Sequence, residues 1–191
     1  MSASLHPESL RYAMDETALG IALVACSAQG VAALFLGGDR ARLVSDLNTA
    51  FPHAELVHDP AGLAETLVKA AALIDAPELG SSLMLDLRGS PIELAVWKAL
   101  QAIPPGETRS YGAIARSLPL AATAQDVGAA CAANRIAVAI PCHRVVKADG
   151  GISGYRWGVW RKRRLINREG VARPAADFFG GLVAAGACVS S

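Results

Sequence analysis

The 191-residue sequence has only four cysteines, Cys26, Cys131, Cys142 and Cys188, and no two of them form a Cys-x-x-Cys pair. His6, His53, His58 and His143 make no metal-ligand spacing with them. Those absences exclude the common zinc modules and predict reduced thiols, with no metal and no cofactor. The first twenty residues lack a basic start followed by an apolar run and a small-residue cleavage site. Nothing there marks the chain for export, so a cytoplasmic location is expected. A long unbroken apolar run is also missing. The longest uncharged stretch, residues 17 to 38, is interrupted by Ser27, Gln29 and Gly30, which read as the turn of a hairpin and not as part of a membrane span. No membrane partner is expected.

What is present is uneven. Residues 1 to 89 carry 5 Lys/Arg against 11 Asp/Glu, and residues 90 to 191 carry 13 against 6, so charges near −6 and +7 underlie the total of +1. A basic half beside an acidic one points to a polyanionic partner or to a solvated basic face. A chain of this length can bury one large core or two small ones, and the reversal of charge favours two.

Leu19 to Cys26 and Val31 to Leu36 read as paired strands, and Ser82 to Leu87 as another. The rhythm of apolar positions predicts helices over Asp39 to Phe51 and Ala61 to Ile74. Ser90-Pro91-Ile92-Glu93 is a sharp helix start, with a capping serine, a proline suited to the first turn and a glutamate able to reach back to the cap. The boundary between the two parts is placed there, where the charge also changes sign. The helix that follows is expected to bury Ile92, Val96, Ala99 and Leu100 and to end at Pro104-Pro105-Gly106.

Ser110 can cap a short helix from Tyr111 to Leu118. Thr123, with Asp126 at the capping-box position, can cap a second one reaching about Ala133. The pair is a helix-turn-helix candidate. Gly128, Ala129, Ala130, Ala132 and Ala133 leave the second helix almost bare, which suits either close packing or entry into an opened minor groove. An apolar approach strand from Ile136 then meets Pro141, which breaks the ladder and should present the Cys142 thiol rather than leave it buried in a sheet. His143 follows directly. Thiolate is the reactive form of cysteine, and an imidazole can help make it, through a water or a tight turn because adjacent side chains diverge.

Pro141-Cys142-His143-Arg144-Val145 resembles the signature of the O6-alkylguanine-DNA alkyltransferases, and the surrounding sequence is especially similar to the C-terminal half of bacterial Ada. Supporting runs are Val96-Trp97-Lys98-Ala99-Leu100, Ser110-Tyr111, Ala130-Cys131-Ala132-Ala133-Asn134 and Gly154-Tyr155-Arg156-Trp157-Gly158. These 191 residues show no counterpart of Ada's zinc-binding N-terminal half, so its transcriptional role is not expected here. The resemblance implies an α/β fold. An N-terminal RNase H-like α/β domain (1–89) precedes a C-terminal winged-helix-like helix-turn-helix domain (90–173) that binds DNA and holds the active site. Residues 174–191 are expected to form a poorly ordered tail.

The resemblance also implies roles. Cys142 would accept the alkyl group from O6-alkylguanine in double-stranded DNA, irreversibly and once, in a monomer needing no evident protein partner. His143 would draw the thiol proton through water, and Glu169 would orient His143. Tyr111 would donate a proton to the departing base, and Asn134 would fix the turn before the active-site strand. Thr123, Ala124, Gln125, Ala129 and Ala132 would face DNA, while Arg144, Val145, Tyr155 and Arg156 would complete the contacts to DNA and to a flipped base. One position departs from the family: where an arginine normally inserts into the stack, this chain has Gln125, with Asp126 beside it. An alkylated-DNA-binding protein with weak or no repair activity is therefore the alternative, and a simple helix-turn-helix regulator a third reading.

Overall fold

A computed structural model describes residues 8–170; the tail expected over 174–191 lies outside the described residues. The chain opens with three antiparallel strands, β1 (Ser9–Thr17), β2 (Gly20–Ser27) and β3 (Gly30–Gly37), followed by helix α1 (Arg40–Ala50). A short β4 (Glu55–His58) pairs parallel with β1, giving a sheet of order β3-β2-β1-β4, and helix α2 (Ala64–Asp75) follows. The fold is mixed α/β, with helices dominating its second half.

Strands β2 and β3 read as continuous apolar runs because both faces of the sheet are covered. Ile21, Leu23 and Ala25 pack towards α1, against Leu43, Leu47 and Phe51. The alternate residues Ala22, Val24, Leu34 and Leu36 join a second core that extends into the C-terminal half through Val96, Leu100, Val127, Ile140 and Leu165.

Helix α3 (Pro91–Gln101) begins with the predicted capping box, both halves of which form. Its buried face is Val96, Trp97 and Leu100, while Ile92 and Ala99 are only half-buried. Trp97, outside the expected set, is inside because its indole donates to the Ala130 carbonyl at 2.9 Å. Helices α4 (Tyr111–Ser117) and α5 (Ala124–Ala133) start at Ser110 and Thr123, each capped by its own hydroxyl. Helix α6 (Val159–Arg168) closes the described chain, and β5 (Arg109–Ser110) pairs parallel with β6 (Val145–Val146).

Two expected strands are not strands. Ser82 to Leu87 makes a single bridge, with Leu85 beside Val31. The apolar approach from Ile136 also makes one bridge, with Leu34, and then turns. Leu34 receives a hydrogen bond from Ala137 and gives one to Arg135, both 2.9 Å. The exposed edge of β3 is thus used up by two segments of other parts of the chain, which protects it and pins the approach to Cys142. Beyond that bridge Val138 has φ 65°, a region a β-branched residue rarely enters, and Ala139 bonds back to Ala137 at 2.6 Å around it. That tight turn is what stops the apolar run from being a strand.

Candidate active site

Pro141 leads into a one-turn 3-10 helix, Cys142–Arg144, so three consecutive side chains leave the backbone about 120° apart. Cys142 is outside any sheet, as expected, but only 3% exposed. Its access is through a cavity of about 340 Å³ lined by Tyr111, Gly128, Cys131, Ala132, Cys142, Gly154, Tyr155 and Arg156. Burial pushes the thiol up to about 11, against a hydrogen bond from Asn134 and the positive charge of Lys162. At neutral pH the resting form is the thiol, and a base is required.

His143, next in sequence, is fully buried. Its Nε2 lies 2.8 Å from Glu169 Oε1, and its Nδ1 has no partner. Burial lowers the imidazole's affinity for a proton and outweighs the pull of Glu169. Burial would raise the Glu169 carboxyl, but hydrogen bonds from His143 and Arg144 prevail and hold it below the usual carboxylate range. A carboxylate only accepts, so the network assigns the imidazole proton to Nε2 and leaves Nδ1 with a free lone pair. Glu169 thus fixes the tautomer that can take a proton.

Arg144 and Val145 are not where a DNA or substrate contact requires them. The Arg144 guanidinium donates to both Glu169 oxygens at 2.8–3.2 Å and to the Ile103 carbonyl at 2.6 Å, with its side chain 9% exposed. Val145 is fully buried, and its carbonyl accepts from Lys162. Both are interior because the 3-10 turn points Arg144 back at the end of α6, where a buried carboxylate needs a countercharge.

Asn134 does fix a turn: its amide oxygen accepts from Ile136 N at 2.8 Å and its Nδ2 donates to Ile140 O at 3.0 Å. The same Nδ2 reaches Cys142 Sγ at 3.3 Å. Tyr111, first residue of α4, is half-buried with its hydroxyl 2.6 Å from Ser153 Oγ. The Tyr155 hydroxyl is buried without a partner, and its ring meets Trp157 edge-on. Arg156 is exposed and donates to the Ala132 carbonyl at 3.0 Å.

Helix α5 uses its small residues on three sides. Val127 and Ala130 pack inward, Gly128, Cys131 and Ala132 border the cavity, and Ala124, Gln125, Ala129 and Ala132 are exposed along one stripe. Close packing and a bare outer surface therefore coexist. Thr123 is committed to the cap, where the Asp126 carboxylate accepts from both its backbone N–H and its hydroxyl.

Sequence reasoning missed Lys162 and Ser153. Lys162 lies in the basic run Arg161-Lys162-Arg163-Arg164, which reads as solvated, yet it is fully buried. Its spacing to Leu165, Ile166 and Glu169 is the signal that could have found it, since all four share one helical face. Among the described residues no group of three or more His, Cys, Asp or Glu is placed to hold a metal, and no helix is long and apolar enough to cross a membrane.

Residues 91–171 match the family model for the DNA-binding domain of 6-O-methylguanine DNA methyltransferase. The bifunctional transcriptional activator/DNA repair enzyme Ada of Escherichia coli is 42% identical over 161 residues, covering 84% of this chain and 46% of Ada. A methylated-DNA--protein-cysteine methyltransferase of Mycobacterium tuberculosis is 50% identical over 91 residues, covering 48% of this chain and 55% of that protein. The chain thus spans about half the length of these curated relatives. The crystal structure of Mycobacterium tuberculosis OGT in complex with DNA superposes with a TM-score of 0.68 at 34% identity, covering 83% of this chain and 92% of that one. With that agreement in sequence and in fold, spanning both the N-terminal sheet and the buried Cys-His-Glu array, the chain belongs to the 6-O-methylguanine DNA methyltransferase family.

Proposed function

We propose that this chain repairs DNA by direct reversal, moving an alkyl group from O6 of guanine onto Cys142 irreversibly, once per molecule. The observation that carries the reading is a buried thiol lining a cavity, next in sequence to an imidazole whose free nitrogen has no protein partner and whose other nitrogen is held by a carboxylate. His143 Nδ1 takes the thiol proton through a water, and the sulfur attacks the alkyl carbon as the bond to oxygen breaks. The departing base is anionic, and Tyr111 supplies a proton to it. A thioether has no ready path back, which makes the transfer a single event.

The N-terminal part, residues 1–89, acts as the scaffold, and residues 90–173 carry DNA binding and the chemistry. The helix-turn-helix of α4 and α5 sets the exposed stripe of α5 against the minor groove, in double-stranded DNA, with the target nucleotide flipped into the cavity. Gly128 and Ala132 leave room for the base, and Tyr155 and Arg156 wall it. The protein acts in the cytoplasm as a monomer. Exposed Gln125 favours a second reading, binding of alkylated DNA with weak or no repair. Incubation with duplex DNA carrying labelled O6-methylguanine, followed by intact mass measurement, separates the two. One methyl group per chain, lost in Cys142→Ala, is expected; an unmodified chain that still binds the lesion supports the second reading, and multiple turnovers would refute the first.

A further inference from the structure

Lys162 is fully buried in α6, and its ammonium donates to Val145 O at 2.5 Å and to Ser153 Oγ at 3.0 Å. The mechanism above gives it no task. An ammonium has donors only, so Ser153 must accept from it. Ser153 Oγ is also 2.6 Å from the hydroxyl of Tyr111, which lines the cavity beside Cys142. With a lone pair of Ser153 taken by Lys162, the serine proton is free to point at the Tyr111 oxygen. The phenol proton then turns into the cavity. The three groups form a one-way series of donors running from a buried cation to the place where the base leaves.

Resting on the alkyl-transfer reading, we propose that Ser153 is a positioning residue of that reaction, a hydroxyl bridge through which Lys162 orients and then replenishes the proton Tyr111 gives up. As the carbon–sulfur bond forms and the carbon–oxygen bond breaks, the electron pair goes to the base, which takes the Tyr111 proton. Tyr111 oxygen takes the Ser153 proton, and Ser153 takes one from Lys162. Lys162 ends as a neutral amine while His143 holds the thiol proton, so the charge of the site is unchanged. Burial already weakens the hold of Lys162 on its proton. Series of hydrogen bonds polarise one another, so the phenol at the end of this one is a better donor than a phenol alone.

Ser153 is half-buried in a loop, so its variants keep the fold. The test compares the full chain with Ser153→Ala and Ser153→Thr on two free bases, O6-benzylguanine and O6-benzyl-8-azaguanine. The second releases a weaker base that needs less help from a proton. Ser153→Ala should slow benzyl transfer from O6-benzylguanine about tenfold at saturating base, with little change in half-saturation. Ser153→Thr should recover the rate to within about twofold, and the loss in Ser153→Ala should shrink with the 8-aza base. Equal losses on both bases, no recovery by threonine, or an unaffected alanine variant overturns the bridge alone. A parent chain whose Cys142 gains neither a benzyl group from the free bases nor a methyl group from duplex O6-methylguanine overturns the alkyl-transfer reading and the bridge together.

Discussion

The Nδ2 of Asn134 donates to the Cys142 sulfur at 3.3 Å while bonding the Ile140 carbonyl at 3.0 Å, so one amide both shapes the turn and touches the nucleophile. A hydrogen bond to sulfur favours the thiolate, and here it opposes the burial that pushes the thiol up. Asn134→Ala should therefore raise the Cys142 pKa further and slow transfer. It should also orphan Ile136 N, costing about 1–3 kcal/mol, while Ile140 O keeps its bond from Cys142 N at 2.8 Å. Thiol labelling against pH and urea unfolding read the two effects separately. A destabilised variant with an unmoved thiol titration would leave Asn134 a purely structural residue.

His143 predicts a particular dependence on pH. Its folded pKa lies below the ordinary 6.5, because burial disfavours the charged ring more than Glu169 favours it. Once unfolded, the ring binds a proton that the folded chain refuses. The stabilisation is fully present above pH 6.5 and is lost as pH falls from there towards the folded value, by at most about 1.4 kcal/mol per unit. Glu169, also depressed, adds a loss of the same sign below its ordinary 4.5. Urea midpoints between pH 8 and 5 should fall less steeply for His143→Asn than for the parent chain. Alkyl transfer should keep a neutral base down to pH 6.5, so a rate already halved above that pH would contradict the assignment.

Arg144 is a test of interior against interface. Removing it leaves Glu169 with one hydrogen-bonding partner and a buried charge without its countercharge. Arg144→Ala should cost about 3–5 kcal/mol of stability. Its folded fraction should bind DNA with the parent's salt dependence, since no phosphate contact has been removed. A shallower salt slope with unchanged stability would return Arg144 to the DNA surface.

The parts of the fold that were legible are those where local chemistry and packing agree. The boxes at Ser90 and Thr123 and the cap at Ser110 set helix starts that needed no tertiary information. Strand β1 was hidden because Arg11, Asp15 and Glu16 lie among only two buried residues, Leu10 and Ala13, and its place comes from pairing with β2 and β4. The segment from Ile136 has a strand's composition, yet Val138 bends it into a turn held by Leu34. Within the site, Cys142, His143, Glu169 and Tyr111 were accessible through the motif they resemble. Lys162 and Ser153 were not, since a lysine in a basic run and a serine in a loop carry no sign of a shared hydrogen bond until the chain is folded.

Gln125 stands exposed in the first turn of α5, at the position where the resemblance implies an arginine that would fill the stack left by a flipped base. Glutamine keeps some hydrogen bonding but lacks the charge and the flat stacking plane. Asp126, next to it, accepts the Thr123 N–H and hydroxyl through Oδ2 alone, at 2.8 and 2.7 Å, which leaves Oδ1 able to pair with a new arginine. Gln125→Arg is therefore tested alone and together with Asp126→Ala, and the arginine freed of that pairing should act on DNA. Flipping costs a few kcal/mol, and recovering about 1.4 kcal/mol of it would speed repair of duplex DNA roughly tenfold. Free O6-benzylguanine needs no flipping, so its reaction should be nearly unchanged. Rates for both substrates, measured on the parent and the variant, decide the point. A parallel rise in both would place the effect at the chemical step, and a flat duplex rate would show that another residue already fills the stack.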